Sequence, residues 1–132
     1  MGMRMSALQQ ALLVGAGGFF GSMLRFAVSG FVLRNFPFSG FPYGTLAVNI
    51  AGCMGIGLLS GLAESRQIIS PETRLFLVIG LLGGFTTFST FAYEGFEMLR
   101  DGELPKMIAN VAAQVIVGCC AVWVGHALTS VR

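Results

Sequence analysis

The sequence predicts an all-α integral membrane protein with four transmembrane helices, the third of them broken near the bilayer midplane. Three observations predict it. The chain is 55% hydrophobic but only 11% charged, far below the roughly 25% of a soluble domain. Its Asp, Glu, Lys and Arg residues cluster, leaving uncharged spans at 5–24, 35–63, 75–93 and 107–131; a helix crosses a bilayer with about 20 mostly apolar residues. The third observation is the stretch from Gly80 to Glu94. Gly80, Gly83 and Gly84 are followed by Thr86, Thr87, Ser89 and Thr90, with Phe85, Phe88 and Phe91 at every third position. The 132 residues make one domain, 1–132, with helices at about 7–33, 43–63, 72–99 and 105–129.

The first helix follows a short tail ending near Ser6. It is too long for a secretory leader and carries Arg25 where a small-residue cleavage site would fall. Gly17 and Gly21 form a G-x-x-x-G pair, which lets another membrane helix approach closely. A dinucleotide-binding fingerprint fails here, because it needs glycine where Phe20 stands and a preceding strand. Arg25 admits two readings: an anchor that snorkels to the interface, or a vestibule cation that attracts anions.

Phe36-Pro-Phe-Ser-Gly-Phe-Pro42 breaks the helix and connects to the second span. That span opens Tyr43-Gly-Thr-Leu-Ala-Val-Asn49, which places an amide among aliphatic residues. An unsatisfied buried amide costs about 1–3 kcal/mol, so Asn49 either bonds two helices together or lines a polar path. Ser70-Pro71-Glu72 reads as an N-cap, a proline at the first helical position and an acidic first turn, which starts the third span. Pro105 opens the fourth. There Asn110 and Gln114 stand four apart on one face, as interfacial groups or as pore lining.

Within the third span, a glycine-rich interruption frees backbone carbonyls from helical pairing. Such breaks survive only inside protein or beside water or an ion. The carbonyls of Gly83 and Thr86 are candidates to coordinate a small cation such as Na+, with two crossing copies supplying four oxygens. Phe88 and Phe91 share a face, and ring edges carry partial positive charge. Their spacing alone favours simple packing; with the nearby hydroxyls and Asn49 it also suits a small anion.

Other classes are poorly supported. A net charge of +2 without a basic run gives no nucleic-acid partner. Cys53, Cys119 and Cys120 lie in apolar spans without C-x-x-C or Cys/His spacing, as packing residues. His126 lies near the end of the chain with nothing to complete a ligand set, and no Ser/His/Asp or Cys/His set suggests an enzyme. Cations divide almost evenly: Arg4, Arg66, Arg74 and Arg132 on one side, Arg25, Arg34, Arg100 and Lys106 on the other. Without a positive-inside bias a chain can insert both ways, and an antiparallel pair would supply the inverted repeat of many transporters.

Three segments resemble the motifs of the CrcB/Fluc family of bacterial fluoride channels, in order and over nearly the full length. Gly17-Gly-Phe-Phe-Gly-Ser-Met-Leu-Arg25 is similar to GGxxGAxxR, with Ser22 for the alanine. Tyr43 to Asn49 resembles the GTLxxN element, and Gly83-Gly-Phe-Thr-Thr-Phe-Ser-Thr-Phe91 resembles the specific GGxTTFSTF signature. The resemblance implies an antiparallel, dual-topology homodimer, multi-pass in the bacterial inner membrane. It would pass fluoride passively through two pores and relieve the cytoplasm of it, with no nucleic acid or protein substrate. Gly83 and Thr86 would give backbone oxygens to a structural Na+ at the dimer centre. The fluoride path would include Asn49, Phe88, Phe91, the hydroxyls of Thr87 and Ser89, Arg25, Glu94, and Asn110 and Gln114 as the polar track of the fourth helix. The alternative is a small proton-coupled dual-topology exporter. That mechanism needs a carboxylate deep in a span, and Glu94 and Glu97 lie late in the third.

Overall fold

A computed structural model describes residues 5–37, 40–66 and 69–130. Four helical spans are long and apolar enough to cross a membrane. Helix α1 is Ala7–Asn35 and α2 is Tyr43–Arg66. The third span, Pro71–Arg100, is divided into α3 (71–85) and α4 (Phe88–Arg100). The fourth, α5, is Leu104–Thr129. At 1.5 Å per residue, the 29 residues of α1 reach about 43 Å, beyond the roughly 30 Å hydrocarbon core. Helices α1 and α2 continue past the uncharged spans because Arg34 and Glu64 fall near ends that can reach the interface.

The helix ends follow local chemistry. Ser6 caps α1 through a reciprocal pair: its Oγ accepts from the Gln9 amide at 3.3 Å, and its own amide donates to Gln9 Oε1 at 2.9 Å. Ser70 Oγ accepts from the Thr73 amide at 3.2 Å, with Pro71 and Glu72 in the first turn of α3. Gly102, between α4 and α5, has φ +77°, a conformation that other residues rarely adopt. Leu75–Leu82 and Ala113–Val117 are π-helical, a wide pairing that tends to occur at functional sites.

Glycines weld the helices into two pairs. A Cβ on Gly80 of α3 would lie 2.8 Å from Val14 O and 2.9 Å from Gly17 Cα of α1, and one on Gly84 would lie 2.7 Å from Gly18 O. Only glycine permits that approach. Helices α2 and α5 pack the same way: a Cβ on Gly125 would lie 2.6 Å from Met54 O, and one on Gly61 would lie 2.6 Å from His126 O. Side chains reinforce this second pair. Thr129 Oγ1 donates to Leu58 O at 3.0 Å, and Ser65 Oγ donates to Thr129 O at 2.9 Å. His126 lies against α2, with Nδ1 3.2 Å from Ser60 Oγ and Nε2 3.5 Å from Glu64 Oε2.

The distribution of apolar side chains is that of a protein in lipid. Among the described residues the buried hydrophobic ones are Val48, Phe85, Met98 and Ala121, while Phe19, Phe20, Phe26, Phe31 and Trp123 face outward. Cys119 and Cys120 are also exposed on this apolar exterior, and Cys53 Sγ lies beside Gly118.

Candidate functional site

The site begins at the break in the third span. Thr86 (φ −82°, ψ 161°) and Thr87 (φ −151°, ψ 120°) are extended, which removes them from the helix on either side. Their backbone groups must find partners elsewhere. Asn49 of α2 takes the Thr87 peptide at both ends. Its Oδ1 accepts from the Thr87 amide at 2.8 Å and its Nδ2 donates to Thr87 O at 3.0 Å. The second Nδ2 proton goes to Gln114 Oε1 of α5 at 3.1 Å. Asn49 is therefore a splint that holds the break and orients Gln114. Thr87 Oγ1 caps α4 by accepting from the Thr90 amide at 3.2 Å.

These substitute bonds release two carbonyls. In an uninterrupted helix the Thr87 amide would close on Gly83 O and the Thr90 amide on Thr86 O. Here those amides donate to Asn49 and to the Thr87 hydroxyl. Thr86 O receives Arg25 Nη1 of α1 at 3.2 Å. Gly83 lies exposed on the protomer surface, with only Val78 O near its Cβ direction, at 3.8 Å. No cluster of three His, Cys, Asp or Glu occurs among the described residues. The groups that the break frees here are backbone oxygens, the kind of donor that coordinates small cations at broken membrane helices.

A buried polar seam runs from the break along the α2–α5 pair. The two helices run parallel with a constant offset. Asn49 meets Gln114, Gly57 faces Val122 and Gly61 faces His126, each 65 positions on. The same offset sets Thr45 level with Asn110, one turn from the Asn49–Gln114 bond. Thr45 Oγ1 donates to Glu94 Oε1 at 2.6 Å, so Glu94 of α4 joins this level. Asn110 is 0% exposed. Glu94 Oε2, both amide atoms of Asn110 and Gln114 Nε2 are buried without a protein partner. Native interiors rarely leave such atoms unpaired unless a function uses them.

The phenylalanines stand apart from this seam. The rings of Phe88 and Phe91 lie 5.6 Å apart, tilted by 59°. Phe88 is 79% exposed on the protomer, Phe91 is half-buried, and Ser89 is exposed with its Oγ 3.4 Å from Thr87 Oγ1. Arg25 lines a groove of about 380 Å³ whose wall is mostly apolar, with Phe26, Leu33 and Val48 beside Ser22, Ser29, Thr45, Thr87 and Thr90. The structure therefore gathers Asn49, Thr87, Glu94 and Gln114 with Asn110 one turn away, and it joins Arg25 to Thr86. It leaves Phe88 and Ser89 at the surface of one chain. Thr45 belongs to the site although sequence reasoning did not select it. The available signal was its position four before Asn49, on the same helical face.

Four apolar spans, one of them broken at the backbone, around a seam of buried unpaired polar groups define a multi-pass membrane protein with a polar interior. The chain belongs to the family described as CrcB-like protein, Camphor Resistance (CrcB), whose model matches residues 12–126. It is 50% identical over 115 residues to "Fluoride-specific ion channel FluC" of Chlorobium luteolum, covering 86% of this chain and 87% of the relative. It is 46% identical over 114 residues to "Fluoride-specific ion channel FluC 1" of Methanosarcina acetivorans, covering 86% of each. With the corresponding channel of Methylobacillus flagellatus it shares 44% identity over 92% of this chain and 94% of the relative. The family is one of ion channels, not of enzymes.

Proposed function

We propose that the chain is a fluoride-selective passive channel of the cell membrane, working as an antiparallel homodimer with a pore on each side of the two-fold axis. The observation that carries this reading is the set of buried, unpartnered polar atoms on Glu94, Asn110 and Gln114, in a chain whose relatives are named fluoride-specific channels. A small anion must exchange its water for donors that do not move. Gln114 Nε2 and the Asn110 amide supply such donors, and Asn49 fixes the first of them by holding Gln114 Oε1. Glu94 keeps one oxygen on Thr45; the other accepts from water travelling with the ion. The positive edges of Phe88 and Phe91 add attraction without a full charge.

The surface that one copy leaves open supports a second copy. Phe88, Tyr93, Phe96 and Leu99 of α4 are exposed on the protomer, as is Gly83. An antiparallel partner seated there would bring the two breaks together and carry Phe88 and Ser89 of one chain toward the seam of the other. Gly83 and Thr86 of both copies would hold a structural Na+, which would supply fixed positive charge to carbonyl dipoles facing one another across the axis. Conduction would leave the cytoplasm with less fluoride, driven only by the ion's own gradient.

A fluoride electrode on vesicles containing the purified protein tests this. Fluoride runs down its gradient at a rate indifferent to an imposed pH gradient. Accumulation of fluoride against its gradient when protons flow would instead establish a coupled exporter.

A further inference from the structure

Helices α2 and α3 touch near the break and leave a cleft between them toward the loop that joins them. Near the break, Gly52 meets the Thr86 side chain, and a Cβ on Gly55 would lie 3.2 Å from Leu82 Cδ2. The cleft has a volume of about 220 Å³. Its wall is mostly apolar, with Ile56 and Leu59 of α2 facing Leu77 and Val78 of α3, and Glu64 and Arg74 line its loop end. Both charges stand near the ends of their spans, Tyr43–Ser65 and Pro71–Arg100, the level at which lipid headgroups meet water. Opposite charges sharing a cleft attract one another, yet these two form no ion pair. The Arg74 guanidinium has no hydrogen-bond or ion-pair partner among the described residues. The only polar contact of the Glu64 carboxylate there is His126 Nε2, at 3.5 Å. An apolar slot with an anion and a cation held apart at its mouth is complementary to a zwitterionic amphiphile.

We propose that this cleft binds a phospholipid whose headgroup carries a primary ammonium, as in phosphatidylethanolamine. The phosphate accepts from Arg74, whose planar fork suits two phosphate oxygens. The ammonium, with three N–H donors, donates to Glu64. The upper part of one acyl chain lies along Ile56, Leu59, Leu77 and Val78. A second copy of the chain would need the apolar wall but not two separated charges at headgroup level, so the charge pattern favours the lipid. The bound lipid ties the third span to α2 where no ion pair does so. None of these residues belongs to the polar seam, and lipid binding is read independently of conduction.

Native mass spectrometry of the purified protein tests this, with phosphatidylethanolamine, phosphatidylcholine and phosphatidylglycerol of identical acyl chains titrated at constant pH. Trimethylation removes the N–H donors of the choline lipid, and phosphatidylglycerol has no ammonium. Both therefore bind wild type about threefold more weakly than phosphatidylethanolamine, the scale of one exposed ion pair. Glu64→Gln abolishes the preference for ethanolamine over choline. Arg74→Gln weakens all three lipids by a similar factor. Ala63→Phe, which places a ring in the cleft, lowers binding of all three. Equal binding of the ethanolamine and choline lipids to wild type overturns the proposal, as does an ethanolamine preference that survives Glu64→Gln. Phosphatidylglycerol binding more tightly than phosphatidylethanolamine also overturns it, since Arg74 would then act alone. A dimer that Ala63→Phe dissociates while lipid binding stays unchanged assigns the cleft to a second copy and overturns the lipid. Glu64 and Arg74 are exposed, so their substitutions leave the fold intact and decide the outcome should Ala63→Phe not fold.

Discussion

Replacing Asn49 by alanine removes three hydrogen bonds at once: those to the Thr87 amide, to Thr87 O and to Gln114 Oε1. Side-chain hydrogen bonds inside membrane proteins average about 0.6 kcal/mol, whereas the general figure is nearer 1 kcal/mol. The sum is about 2–3 kcal/mol, and the Thr87 peptide is left without either partner. Denaturant titration in mixed micelles should show that loss, and hydrogen exchange at the Thr87 amide should accelerate. Asn49→Asp keeps an acceptor for that amide but loses both donors, so it recovers only part of the stability. A double-mutant cycle with Gln114→Ala should give a coupling of about 0.5 kcal/mol or more, since the two side chains touch. An Asn49→Ala variant within 0.5 kcal/mol of wild type, with Thr87 still protected, refutes the splint.

Other outcomes follow from the same geometry. Gly21→Val should collapse the α1–α3 pair, because even a Cβ there would lie 2.8 Å from the Phe85 amide nitrogen; Gly15→Ala, with nothing within 4 Å, should leave thermal stability unchanged or raise it by up to about 1 kcal/mol. Asn110→Leu should be neutral or stabilising, since it removes unsatisfied polar atoms, yet lower fluoride flux by at least about tenfold; loss of stability with normal flux counts against a pore role. Thr45→Val frees Glu94 Oε1 and should reduce fluoride efflux while size-exclusion elution stays that of wild type. Phe91→Ala should also depress flux without dissociating the protein, as read by the electrode and by cross-linking.

The four spans were legible because charge is excluded from them, and the starts of the third and fourth because Ser70-Pro71 and Pro105 are helix-start residues; the cap that Ser6 gives the first is visible only in the structure. The break was legible too: two adjacent glycines followed by hydroxyls cannot make an ordinary lipid-facing helix. What replaces the missing backbone bonds was not. Asn49 stood out as a buried amide, but its partner is a peptide 38 positions away, set by how α2 lies on the third span. Asn110 and Gln114 were recognisable as one face of a helix, whereas their alignment with Thr45 and Asn49 depends on the 65-residue offset that the glycine contacts impose. Thr45 was overlooked because a threonine in an apolar helix ordinarily satisfies itself on its own backbone; here its hydroxyl donates to Glu94. Arg25 reads by position either as an interface anchor or as a vestibule cation, and its reach to Thr86 appears only once Gly17 and Gly21 have drawn α1 against α3.

As a proposed fluoride channel, this seam should pass fluoride and reject larger halides. The direct measurement is efflux from vesicles loaded with equal fluoride and chloride, followed by an electrode for each ion after a potassium ionophore clamps the voltage. Fluoride leaving rapidly while chloride stays inside is the predicted result. Equal efflux of both ions, or retention of both, contradicts it.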